Sequence, residues 1–192
     1  MPSSISPDIA GLRALSHPVR LRMLGLLRSD GPATATTLAQ RLDLHTGATS
    51  YHLRQLAQHG FIEEDAERGN GRDRWWRAAH DSTRTDFRGK GVDDSDVEAY
   101  LTTVALLYAD RMRAAVAEMA FLPPQGQNVG TLSDWELSLT PSQADRLVQS
   151  LVSLLEETEE TDESDGSGDE DAAAFVVNLN AYPRPGQRWD EQ

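Results

Sequence analysis

At Gly60 the apolar residues stop recurring every three or four positions and begin to alternate, and this change of period constrains the fold more than any other feature. Upstream, "LAQRLDL" spaces Leu38, Ala39 and Leu42 along one face. A few residues later comes "HTGATSYHLRQLAQHG", His45 to Gly60. Two short amphipathic helices joined by a tight turn form a helix-turn-helix unit. Downstream, "FIEEDA", "ERGNGRD" and "RWWRAA" read as two strands around a Gly-Asn-Gly turn. A helix-turn-helix followed directly by a hairpin is the outline of a winged helix.

The rest of the chain extends this plan. Ser6 is placed to cap a short helix with Pro7 at its first position, followed by Ile9, Leu12, Arg13 and Leu15. His17 and Pro18 start the next helix, whose apolar side is Val19, Met23, Leu24, Leu26 and Leu27, and Ser29–Pro32 ends it. Polar Ser82–Gly91 reads as a linker. A long helix is expected from Asp93 to Phe121, striped by Val97, Leu101, Val104, Tyr108, Met112, Ala115 and Met119 and ended by Pro123–Gly126. A strand at Trp135–Leu139, a helix from Thr140-Pro141 and a strand at Phe175–Tyr182 follow. Acidic residues near 158–172 read as a disordered loop. The fold class is therefore mainly α with small β (α+β). Its expected divisions are a winged helix-turn-helix DNA-binding domain at 1–90, a dimerisation helix at 91–124 and an acidic strand-helix-strand region at 125–192.

Charge sorts the two halves. The net charge of -13 is uneven: residues 1–90 carry 13 Lys+Arg against 10 Asp+Glu, whereas 91–192 carry 5 against 21, so the halves hold +3 and -16. Phosphate attraction follows the local field, so the first half suits DNA and the second does not. With no cysteine, disulfides and thiolate metal sites are excluded. The N-terminal residues lack a basic region followed by an apolar run, and no apolar stretch approaches the roughly 20 residues of a membrane helix. A soluble, cytoplasmic protein without membrane partners is expected.

The first 80 residues resemble the ArsR-type winged helix-turn-helix transcriptional regulators. The resemblance rests on "LSHPVRLRMLGLL", "LAQRLDL", "TSYHLRQLAQHGFIEE" and a wing ending "GRDRWWRAA", in that order, and covers residues 8–80. More loosely, "WELSLTP" and "FVVNLNAYPRP" resemble the C-terminal part of some regulators of this group. The resemblance implies a homodimeric repressor on an inverted repeat in double-stranded DNA. One helix per subunit, at 46–59, would enter the major groove, with the wing at 61–79 on the backbone or minor groove. It also implies an effector, of undetermined identity, that alters dimer geometry.

A period of 3.6 assigns Thr49, His52, Leu53 and Leu56 to the inner side of the quoted helix. Thr46, Gly47, Ser50, Tyr51, Arg54 and Gln55 fall outside, either as a DNA-reading face or as a solvated one. Base edges are read near the N-terminus of such a helix. Arg54 suits guanine, Gln55 adenine, Ser50 a base or phosphate, and Tyr51 a phosphate or a thymine methyl, while Gly47 permits close approach. Wing residues Arg72 and Arg74 suit phosphate or a narrow minor groove, against the neighbouring Glu67 and Asp73. Trp75 and Trp76 fall on opposite strand faces, so one belongs to the core. His52 is expected to be a hydrogen-bonded core histidine; Arg20 and Arg22 suit phosphate or solvent equally.

Metal sensing has no support in the sequence: residues 93–121 contain no histidine, and Asp93, Asp94, Asp96 and Glu98 suit the positive end of their helix. No cofactor is expected. After residue 90 there is no glycine-rich strand-to-helix loop and too little chain for a doubly wound domain, so an enzyme is not expected. The alternative to a DNA-binding regulator is a winged helix that binds protein instead. The C-terminal Leu137, Leu139, Leu147, Val148, Leu151, Leu154, Phe175, Val177 and Leu179 suit a small core or an effector pocket.

Overall fold

The computed structural model describes residues 3–68, 73–85, 95–123, 126, 129–164, 173, 175–186 and 189, with side chains through 158 of the last helix. The fold is α+β. It divides into a unit at Pro2–Ala115 and a second from Val116 onward.

The first unit opens with β1 (Ser4–Ile5), α1 (Ile9–Leu15) and α2 (Pro18–Ser29). The α1 cap is Asp8, not Ser6: Asp8 Oδ1 accepts the Gly11 N–H at 2.7 Å. An ionised carboxylate at the positive end of a helix is a stronger cap than a hydroxyl. Pro7 therefore precedes the helix, and a Cβ on Gly11 would stand 3.0 Å from Pro7 Cβ, so the glycine lets the proline fold over the first turn. His17 caps α2 as expected, its Nδ1 accepting the Val19 N–H at 3.2 Å with Pro18 next.

After β2 (Ala33–Thr34) come α3 (Ala35–Leu42) and α4 (Thr46–Gln58), the helix-turn-helix pair. Thr34 Oγ1 caps α3 by accepting the Thr37 N–H at 3.1 Å. The turn is tight because Asp43 adopts the left-handed conformation, φ 53°, while the Leu44 N–H returns to the Ala39 carbonyl at 2.9 Å. Helix α4 ends at Gly60, φ 72°, a conformation glycine adopts without a Cβ penalty. The next residue, Phe61, is fully buried and its N–H bonds the Leu56 carbonyl at 3.1 Å.

Strands β3 (Ile62–Glu64) and β4 (Trp75–Ala78) form the hairpin, and the sheet order is β2-β4-β3 with antiparallel neighbours. Ala33 pairs with Trp76 and Ile62 with Ala78. This register buries Trp76 and leaves Trp75 half-buried. Trp76 joins one core with Leu12, Leu15, Met23, Leu24, Leu27, Leu38, Leu53, Leu56, Phe61 and Ile62. Each such large apolar side chain contributes about 1.5–3 kcal/mol of transfer free energy.

Residues 82–91 are not linker throughout. Ser82–Thr83 form β5, parallel to β1, with Ser4 opposite Ser82. Polar anchors make the pair, which apolar periodicity does not reveal. Arg28 donates from Nε to the His80 carbonyl and from Nη2 to Thr83 Oγ1, both at 2.9 Å. Asp81 accepts the Ser3 N–H at 2.7 Å.

Helix α5 (Ser95–Glu118), continued by a 3-10 turn at Met119–Phe121, matches the expected long helix, although Asp93 and Asp94 lie outside the described residues. Its start packs on its own domain. Val97 and Tyr100 are buried, Arg13 Nε donates to Asp96 Oδ1 at 3.0 Å, and Thr103 Oγ1 donates to the Ser16 carbonyl at 2.9 Å. The expected stripe therefore divides: Val104 and Tyr108 are half-buried, whereas Leu101, Met112 and Met119 are exposed, as are Leu106 and Val116.

In the second unit, α6 (Pro141–Ser164) starts as expected. The Thr140 N–H donates to Gln143 Oε1 at 2.9 Å, and the Gln143 N–H to Thr140 Oγ1 at 3.3 Å, a reciprocal cap. The helix runs through 164, beyond the expected start of the acidic loop, because glutamate propagates a helix well. Residues 165–172 lie outside the described residues. Trp135–Leu139 and Phe175–Tyr182, expected as strands, carry no ladder among the described residues. Side chains from beyond Tyr182 meet the first of these segments instead: Trp189 Nε1 donates to the Leu139 carbonyl at 3.0 Å and Arg184 pairs with Glu136 at 2.8 Å. None of this unit's described side chains is buried, so the expected small core does not form within the described residues. Among the described residues no helix is long and apolar enough to cross a membrane.

Candidate nucleic-acid interface

The amphipathic pattern of α4 sets its orientation. Thr49, Leu53 and Leu56 are fully buried, and Thr49 Oγ1 donates to the His45 carbonyl at 3.3 Å, which satisfies that buried hydroxyl. Thr46, Gly47, Tyr51 and Arg54 are exposed; Ser50 and Gln55 are half-buried. Tyr51 stands out at 52% exposure. The N-cap of α4, His45, makes no side-chain bond to the first turn. A Cβ at Gly47 would meet nothing within 4 Å among the described residues, so no contact among them requires glycine there.

Three elements converge beside this face. The start of α3 contributes Thr34, Ala35 and Thr36, α4 contributes Thr46, Ser50 and Arg54, and the wing root contributes Asp73, Arg74 and Trp76. Together they line an open groove of about 420 Å³. Arg54 lies along its helix, with Nε donating to the Ser50 carbonyl at 3.2 Å, and has no carboxylate partner among the described residues. Pairing of β2 with β4 brings Thr34 opposite Trp75, and this holds the α3 N-terminus against the wing. In the sequence, the threonines of "ATATT" signal only capping; long-range strand pairing gives Thr36 its place at the groove.

Every wing arginine described has an acidic partner. Arg68 lies 3.5 Å from Asp65, Arg74 3.2 Å from Glu64 and Arg77 2.7 Å from Glu63. The acids that temper the wing are thus its own β3 residues and Asp65, rather than Glu67 and Asp73 alone. Arg74 also stands over the Trp76 ring, 5.7 Å from its centroid, which fixes its direction at the groove wall. Such exposed pairs are worth about 0–1 kcal/mol, so they yield readily to a competing phosphate. Arg72 lies outside the described residues.

On the other flank of α4, a groove of about 360 Å³ is bordered by Arg13, Arg20, Tyr51, Gln55 and His59. Arg20 donates through Nε to the Ala14 carbonyl and through Nη2 to the Arg13 carbonyl at 3.4 Å, closing the C-terminus of α1. Arg20 therefore holds structure. His52 is half-buried against the His17 ring, but its Nδ1 is buried with no hydrogen-bond partner among the described residues, unlike the satisfied histidine expected. Burial, then the charges of His17 and Arg20, lowers its pKa from the ordinary value. Among the described residues no three His, Asp or Glu side chains are grouped to hold a metal ion.

Residues 15–65 match the family model of a helix-turn-helix domain. The matched stretch ends at Asp65 and contains α2, α3, α4 and β3, including every outward residue of α4. No curated protein matches the chain.

Proposed function

We propose, from a helix-turn-helix domain at residues 15–65, that this protein is a sequence-specific regulator of transcription on double-stranded DNA, of the ArsR type. The observation that carries the reading is the convergence of α3, α4 and the wing root on one groove beside an outward face of Thr46, Gly47, Ser50, Tyr51, Arg54 and Gln55. In this reading the first half of α4 enters the major groove. Arg54 reads a guanine edge, Gln55 an adenine, and Ser50 a base or phosphate. Arg74, together with Arg72, holds the backbone or minor groove. Thr36 at the start of α3 adds a hydroxyl beside a helix N-terminus, where anions are favoured.

One recognition helix contacts too few base pairs for high specificity, and a two-fold dimer on an inverted repeat supplies the second. The exposed Leu106 and Met112 of α5 are the surface we assign to that pairing. The bound dimer acts as a repressor, and an effector releases it by altering dimer geometry. No catalytic role is proposed.

The second reading, a winged helix that binds protein, is favoured by the ion pairing of Arg68, Arg74 and Arg77. Selection of duplexes from a random library by the full-length protein separates the two. The DNA reading predicts enrichment of an inverted repeat, with affinity that falls steeply as salt rises. Absence of enrichment, with salt-insensitive association, supports the protein-binding reading.

A further inference from the structure

The rings of His17 and His52 lie 4.5 Å apart between centroids, inclined at 50°. His17 is the cap of α2 and His52 sits on the inner flank of α4, so this contact is one of the points that hold α4 on its domain. His17 Nδ1 accepts the Val19 N–H, which requires that nitrogen to be unprotonated. His52 Nδ1 is buried without a partner among the described residues, so a proton placed there has no acceptor. The surroundings are hostile to added charge. From α2 come Arg20, whose charge acts on both rings, and the positive end of the helix; Tyr51 of α4 stands edge-on to His52 at 5.5 Å, and His59, just past the end of α4, borders the groove that Arg20 and Tyr51 also line. From α1 comes Arg13, already paired with Asp96 of α5.

We propose that His17 and His52 form an acid-sensitive latch that seats the recognition helix α4 on the cap of α2, so that sequence-specific DNA binding is lost in mild acid. This deepens the function proposed above and rests on it. Burial first, then Arg20, lowers the His17 pKa from the ordinary 6.5, in the same direction as at His52. For bases depressed in the fold, the unfolded state binds protons first. The latch's contribution is whole above about pH 6.5 and is lost as pH falls through the lower folded values. Protonation removes the His17 cap and places two cations in contact. Nonspecific attraction moves the other way, because acid adds positive charge to the surface and strengthens its hold on phosphate. A falling ratio of specific to nonspecific affinity is therefore the signature.

The test uses the full chain, a duplex selected at about pH 7.5 and a random-sequence duplex of equal length, each measured again at about pH 5.5. In DNA-free protein, the His17 and His52 ring protons and the α4 amides are followed by NMR over the same range. The latch predicts a fall of about tenfold or more in the affinity ratio, and α4 amide shifts with the same midpoint as the two rings, below the ordinary histidine value. In His17→Asn/His52→Gln, which keeps a cap acceptor and cannot titrate, the fall disappears. In His59→Gln it persists. An unchanged ratio, or a double variant with the wild-type pH dependence, overturns the latch. Static α4 amides while the rings titrate overturn it without any DNA. Failure to select a duplex at the higher pH contradicts the DNA reading alone.

Discussion

Arg74 Nε lies 3.2 Å from the Glu64 carboxylate while its guanidinium stands over Trp76, so the wing root holds its cation in place and partly masks it. Both partners are at least half exposed, and the pair is worth no more than about 1 kcal/mol. Glu64→Gln is expected to raise affinity for duplexes of any sequence a few-fold. Arg74→Ala is expected to lower it uniformly and make the slope of log affinity against log salt shallower by about 0.9. Anisotropy titrations across a salt series read both.

Gly47 separates fold from contact. With open space among the described residues around its Cβ position, Gly47→Ala is expected to stabilise the helix, by up to about 1 kcal/mol, as alanine replaces glycine. The same methyl group occupies the surface assigned to DNA, so duplex affinity should fall while the melting temperature rises. A rise in stability with unchanged affinity would take Gly47 out of the interface.

Capping of α1 is testable by paired substitutions. Asp8→Ala should cost about 1 kcal/mol in chemical denaturation, whereas Ser6→Ala should stay within about 0.5 kcal/mol. Equal effects would contradict the assignment of Asp8 as the cap.

The β1–β5 junction carries an acid-sensitive element distinct from the histidine pair. The Ser3 N–H, and then its hydroxyl, hold the Asp81 carboxyl below its ordinary 3.8. A carboxylate depressed in the fold contributes stability above its unfolded value, and that contribution is lost as pH falls through the folded value. Melting temperatures below about pH 4 should therefore drop less steeply in Asp81→Asn than in the parent.

The helix-turn-helix was legible because its signals are local: threonine and His-Pro caps, a 3.6-residue apolar period and glycine at the end of α4. The outward face of α4 followed from the same period, and the observed burial of Thr49, Leu53 and Leu56 agrees with it. What depends on long-range pairing was not legible. Thr36 reaches the groove through the pairing of β2 with β4, and Ser82–Thr83 form a strand through pairing with β1, beside which Arg28 and Asp81 make polar contacts. The ion pairs of the wing depend on strand register, which places Glu63 opposite Arg77 and which residue alternation alone leaves open. In the C-terminal region, alternation at Trp135–Leu139 and Phe175–Tyr182 expressed a capacity to pair, and a strand exists only where a neighbour completes its hydrogen bonds.

The proposed base reading by the outer face of α4 is tested most directly by the affinity of Ser50→Ala/Arg54→Ala for a duplex selected by the parent protein. At about 1–3 kcal/mol per specific contact, loss of both side chains should remove most of the preference over random DNA. The proposed dimer, read by sedimentation, and the salt-dependent nonspecific binding should survive. A double variant that keeps the parent's specific affinity would contradict the account.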